Sequence, residues 1–149
     1  MLFRSLIGED IKGSDIFTEK LIASAQDTIK KKESEFLEWA DDDIRILEAC
    51  YSKLRLSPSD EEAKTKLLSA AYSLKSQAGI FGYDMGTEVS RMLLDYMPPE
   101  KPISDQMLIV LRKFLDTIGV VFRLKVKEAG GEIGAALIKG LQILTKKLG

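Results

Sequence analysis

Side chains able to move protons or attack electrophiles at neutral pH are scarce in this chain of 149 residues, which has no histidine and one cysteine, Cys50. Acid/base, nucleophilic and metal chemistry most often recruits histidine, with cysteine or paired carboxylates as substitutes, and here the first is missing and the second occurs once. Asp41, Asp42 and Asp43 form the densest acidic run. Consecutive residues on a helix fan out by about 100° each, so the three cannot converge on one cation, and a solvated face is their expected role. The Glu-x-x-His spacing of di-iron helical proteins is absent. Cys50 falls beside core positions and reads as a small buried hydrophobe rather than a reactive thiol. Gly79 and Gly82 follow a helix instead of opening one, and Gly130-Gly131 precedes no Lys-Ser or Lys-Thr pair, so no phosphate-cradling loop is indicated. Neither a cofactor nor a metal is expected.

The elements that must position any site are helices. Apolar residues recur at spacings of three and four with no sustained alternation, so the expected fold class is all-α. The first helix spans about 14–54, with Phe36, Ala40, Ile44, Leu47, Tyr51 and Leu54 as its clearest stripe. The run Lys30-Lys31-Lys32-Glu33 either separates two helices or lies on the exposed side of one. Ser57-Pro58-Ser59-Asp60-Glu61-Glu62 reads as a helix start, with a hydroxyl cap, a proline in the first turn and carboxylates at the positive dipole end. The second helix carries Leu67, Ala70, Ala71, Leu74, Ala78 and Phe81 inward and ends near Gly82. A third covers 84–97, with Met85, Val89, Met92, Leu93 and Tyr96 inward, and is stopped by Pro98-Pro99.

Ser104 can cap a fourth helix with the stripe Met107, Leu111, Phe114, Leu115, Ile118 and Phe122, ending before Gly130-Gly131. A last helix, 132–148, repeats the pattern with Ile133, Leu137, Leu141, Leu144 and Leu148. Short connections favour antiparallel neighbours, so the expected architecture is an antiparallel four-helix bundle with additional N- and C-terminal helical segments. The expected organisation is a single domain over 1–149, with a core at about 33–128 and extensions at 1–32 and 129–149. A formal charge of −1 gives no electrostatic reason to bind nucleic acid or an anionic membrane. The opening MLFRSLIGED lacks the apolar stretch of a signal peptide, and no apolar run is long enough to span a bilayer. With a lone cysteine, these features make a soluble protein of the cytoplasm the default expectation.

One segment has a distinctive spacing: Ala71-Tyr72-Ser73-Leu74-Lys75-Ser76-Gln77-Ala78-Gly79-Ile80-Phe81-Gly82-Tyr83. It resembles the signature of histidine-containing phosphotransfer (HPt) domains, in which Ala-His-x-[Leu/Ile]-Lys-Gly is followed by small residues and by a glycine ten positions after the histidine. Leu74, Lys75, Ala78, Gly79 and Gly82 fall at the matching offsets. Tyr72 stands where the family has its phospho-acceptor histidine, and Ser76 where it has the glycine after the lysine. With the helix order around it, the resemblance covers residues 33–128.

Helical geometry gives an independent view of the same residues. The core stripe of the second helix falls within about 100° of arc, whereas Tyr72 points about 140° away from Leu67. Tyr72 is therefore expected to face outward, with Leu68, Lys75, Ser76 and Gly79 on its side of the helix. Tyrosine joins a large apolar area to a hydroxyl and is enriched at protein interfaces. The plainer alternative is that Tyr72 packs on another helix of this chain.

The resemblance implies reversible phosphoryl exchange between a receiver aspartate and the HPt histidine. A tyrosine phosphate is an ester of lower transfer potential, and a phenol with a pKa near 10 is a poor nucleophile at neutral pH without an adjacent base. The expected function is thus a non-catalytic interaction module of two-component signalling that binds a receiver domain or a histidine kinase without relaying phosphate. Two alternatives stand beside it: residual phosphotransfer on a non-histidine acceptor, and a structural or oligomerising helical protein outside phosphorelays.

Overall fold

The computed structural model describes residues 11–148, and among them every regular element is helical. Helix α1 runs Ile11–Leu56, α2 Glu61–Ala78, α3 Asp84–Tyr96, α4 Asp105–Arg123 and α5 Glu132–Leu148, with a single 3-10 turn at Gly79–Phe81 after α2. The lysine run of α1 does not interrupt it, so of the two readings of residues 30–33 the continuous helix holds. Leu2, Phe3, Leu6 and Ile7 lie outside the described residues. Contacts divide the chain into two compact units, Met1–Glu35 and Phe36–Gly149. In the first, residues 15–32 are exposed throughout. The second contains the rest of α1 and all of α2 to α5.

The start of α2 differs from expectation. Its cap is the carboxylate of Asp60, which accepts from the Ala63 amide at 3.1 Å, rather than a serine hydroxyl. Pro58 lies in the preceding turn, closed by the Asp60 amide donating to the Ser57 carbonyl at 3.0 Å, where proline's fixed φ suits the second position. Ser104 does cap α4, accepting from the Met107 amide at 3.2 Å.

Two helix ends share one closing hydrogen bond, from the residue after a left-handed position back five residues. After α2, Gly82 takes φ +77°, the Tyr83 amide donates to the Ala78 carbonyl, and the Gly82 amide donates to the Gly79 carbonyl. After α4, Lys125 occupies the left-handed position at φ 52°, and the Val126 amide donates back to the Val121 carbonyl. A side chain in that conformation carries a cost that glycine avoids. This closure ends α4 at Arg123, well before Gly130-Gly131.

The inward stripes meet in one core. Leu47, Leu54, Leu67, Leu74, Leu93, Leu111, Phe114 and Ile118 are all fully or almost fully buried. At one end of it Phe36 stacks on Phe81 with centroids 4.8 Å apart, and Tyr83 and Phe122 complete the cluster at 5.6 and 5.9 Å from Phe36. Phe81 contributes from the 3-10 turn and stays half-buried. Gly86 on α3 makes this packing possible, because a Cβ there would lie 2.6 Å from Phe122 Cζ and 3.2 Å from Ala78 Cβ.

At the opposite end, the buried Lys64 ammonium donates to the Pro99 carbonyl at 2.7 Å and to the Lys101 carbonyl, tying the proline-rich turn to α2. Such pairing is what allows a cation to be buried. On α5 the stripe begins at Gly134 rather than Ile133, which is 64% exposed. Gly134 sits so close to the preceding loop that a Cβ would fall 2.2 Å from the Glu128 carbonyl oxygen. That contact sets the helix rotation, turning Leu137, Leu141 and Leu144 toward the core and Ile133 out.

Candidate functional site

The outward face of α2 owes its presentation to the face beneath it. Leu67, Ala70, Ala71, Leu74 and Ala78 are buried, which leaves the opposite arc free. Tyr72 stands at the centre of that arc, 61% exposed. Lys75, one turn on, places its ammonium 5.6 Å from the Tyr72 ring centroid, within reach of a cation–π attraction. Leu68 and Lys75 are half-buried, Ser76 and Gly79 exposed, and helical phase puts all four beside Tyr72. These residues form one patch, in which an aromatic ring and an aliphatic side chain adjoin a positive charge and two small residues.

The patch is braced from both flanks. On the α3 side the Thr87 hydroxyl donates to the Lys75 carbonyl at 3.2 Å, and a Cβ on Gly79 would meet that hydroxyl at 3.4 Å. On the α1 side Ser73 and Asp43 line the same groove. Burial pushes the Asp43 carboxyl above its ordinary range, Ser73 acts to lower it, and the charge of Asp42 adds to the rise. Asp43, Ile46, Lys66, Ser69, Ala70 and Ser73 line a groove of about 550 Å3 between α1 and α2.

Several of these features escape a reading by composition. Asp43 reads as one of three solvated aspartates, yet it lies three residues after Ala40 and four before Leu47, both buried, and that spacing sets it at the edge of the inward stripe. The fork by which Arg112 on α4 holds Glu48 on α1, with bonds of 2.7 and 2.5 Å, has no local sequence signal because 64 residues separate the pair. The Arg112 guanidinium also lies 4.8 Å from the Tyr51 ring centroid. This fork holds the Glu48 carboxyl below its usual range, more than offsetting the effect of burial.

Cys50 is buried, as expected, and burial pushes its thiol above the ordinary value, away from the reactive thiolate. Among the described residues no group of three His, Cys, Asp or Glu could hold a metal ion, and no helix is long and apolar enough to cross a membrane. In comparisons with known proteins, no family model, curated protein or solved structure matches the chain.

Proposed function

We propose that this chain is a pseudo-HPt protein: an antiparallel four-helix bundle of the HPt kind with terminal helical segments, acting in the cytoplasm as a non-catalytic module of two-component signalling. It binds a receiver domain or a histidine kinase through the outer face of α2 and the adjoining part of α3, and it relays no phosphate. The observation that carries the reading is the exposed Tyr72 ring at the position matching the phospho-acceptor histidine. Lys75 and Gly79 adjoin it at the motif's offsets, Ser76 stands where the motif has glycine, and helical phase sets Leu68 on the same side.

The chemistry of the substitution separates docking from transfer. An exposed aromatic ring with a neighbouring ammonium offers contact area and a charge for an acidic partner surface. Turnover needs more, because a phenol loses its proton near pH 10 and requires a base beside it to act at neutral pH. The charge beside the Tyr72 ring is the Lys75 ammonium, which supplies no such base.

The test is a titration of the protein against receiver domains and histidine kinases of its own genome. Binding is expected with at least one of them, weakened by Tyr72→Ala and by Lys75→Glu. Absence of binding across the whole set sinks the proposal. Incubation with a phosphorylated receiver, followed by intact-mass measurement, is expected to show no phosphoryl adduct. An adduct lost in Tyr72→Phe would replace docking with transfer.

A further inference from the structure

The unit Met1–Glu35 raises a question separate from the signalling proposal. Its described side chains lie on a helix whose large apolar residues are exposed, among them Leu21, Ile22 at 51% and Ile29 at 61%. One stripe of this helix, Thr18, Ile22, Ala25 and Ile29, follows the alternating spacing of four and three residues by which paired helices interlock. Continued one step in each direction, the stripe reaches Asp15 and Lys32, both exposed.

We infer that this stripe pairs with the same stripe of a second copy of the chain, the two helices running antiparallel. The charges decide the direction. In parallel alignment each stripe residue meets itself, setting Asp15 against Asp15 and Lys32 against Lys32 at the two ends of a short seam. Antiparallel alignment about a point between Ala23 and Ser24 sets Asp15 against Lys32 at both ends and removes both repulsions. It also sets Ile22 across from Ala25 and Thr18 across from Ile29, so that a larger side chain meets a smaller one in every layer. Leu21 lies at the seam's flank, facing Thr28 of the other copy.

Such an interface is isologous and closes at two copies, since each contact occurs twice by symmetry. From Asp15 to Lys32 the seam is about 26 Å long at 1.5 Å per residue. That is a small interface, so the dimer forms in the micromolar range rather than as an obligate assembly.

Sedimentation equilibrium of the full chain, from micromolar to submillimolar loading, tests this directly. A monomer–dimer equilibrium is expected, with helix content unchanged in every variant because the substituted side chains are exposed. Ile22→Glu with Ile29→Glu is expected to raise the dissociation constant at least about 100-fold, each substitution losing a buried aliphatic twice per dimer. Asp15→Lys alone and Lys32→Asp alone should each weaken pairing by about 3- to 10-fold, through two surface ion pairs replaced by like charges. The double exchange Asp15→Lys with Lys32→Asp should restore it. A monomer at all loadings overturns the inference, and so does a dimer indifferent to the two isoleucines. A dimer that the double exchange fails to restore overturns the antiparallel register.

Discussion

Helix α1 carries apolar residues along its whole length, and its two stretches meet opposite fates. In the unit beginning at Phe36, the residues Phe36, Ala40, Leu47 and Leu54 are buried at 3% exposure or less; in the unit ending at Glu35, Ile16, Phe17, Leu21, Ile22 and Ile29 remain exposed. Spacing does not account for the contrast, since apolar residues stand three and four apart in both, as Ile22, Ala25 and Ile29 do in the exposed stretch and Ala40, Ile44 and Leu47 in the buried one. The difference is in what lies opposite. Residues from 36 onward face aromatic rings and aliphatic side chains supplied by α2 to α4, such as the Phe81, Tyr83 and Phe122 rings around Phe36. Helical periodicity nominates a face for burial, and only a partner of matching shape completes it.

Removing a covered side chain should therefore have the greatest effect. Phe114→Ala empties a fully buried position and is expected to lower stability by about 3–5 kcal/mol, read from the midpoint of urea unfolding at unchanged slope. An effect below about 1 kcal/mol would mean that the core closes over the loss, contrary to a tightly packed interior. Next comes Gly86→Ala, which thrusts a methyl group to 2.6 Å from Phe122 Cζ. It is expected to cost about 1–3 kcal/mol through overpacking, and Gly86→Ala combined with Phe122→Leu should lose less than the two changes summed.

Lys125→Gly works in the other direction. Glycine adopts φ 52° without the strain that lysine bears there, so a rise of about 0.5–1 kcal/mol in stability is expected by thermal melting. No change would show that contacts of the lysine side chain offset the backbone cost.

The Glu48–Arg112 fork is a smaller contributor, because both groups are partly solvated. Hydrogen bonding to Arg112 lowers the Glu48 carboxyl in the folded state from its ordinary 4.5. The stability that this adds is present above pH 4.5 and fades as pH falls through the lowered folded value, where the carboxylate takes up a proton. Arg112→Gln should flatten the acid limb of the stability–pH curve by about 0.5 kcal/mol while leaving its alkaline limb in place. The smallest effect is expected on the uncovered stretch, where Ile29→Ala, measured in dilute monomer, should shift stability by about 0.5 kcal/mol or less. A loss comparable to that of Phe114→Ala would abolish the contrast between the two stretches.

The patch on α2 shows how far reasoning from residues reaches. A rotation of about 100° per residue is enough to turn Tyr72 outward once Leu67, Ala71 and Leu74 are assigned inward, and Tyr72 is indeed exposed. The brace beneath it needs side chains distant in sequence, Thr87 reaching the Lys75 carbonyl across 12 residues and Asp43 meeting Ser73 across the groove. Ile133 shows the opposite case. Periodicity gives it and Gly134 nearly the same claim to the inward face, and the close approach of the Glu128 carbonyl awards the place to the residue without a Cβ.

By itself the sequence determined what local energetics control: an all-helical chain, most helix boundaries to within a few residues, the inward stripes of the larger unit as far as α4, and the outward direction of Tyr72. Capping, proline stops and the 3.6-residue period act over one or two turns, so each is written within a short window of residues. Tertiary structure decided that Asp60 rather than a serine caps α2, that Lys64 is buried against the proline-rich turn, that Arg112 grips Glu48, and that α5 turns on Gly134. Those outcomes depend on which distant groups arrive within a few ångströms of one another, and desolvation and close packing take effect only at that range.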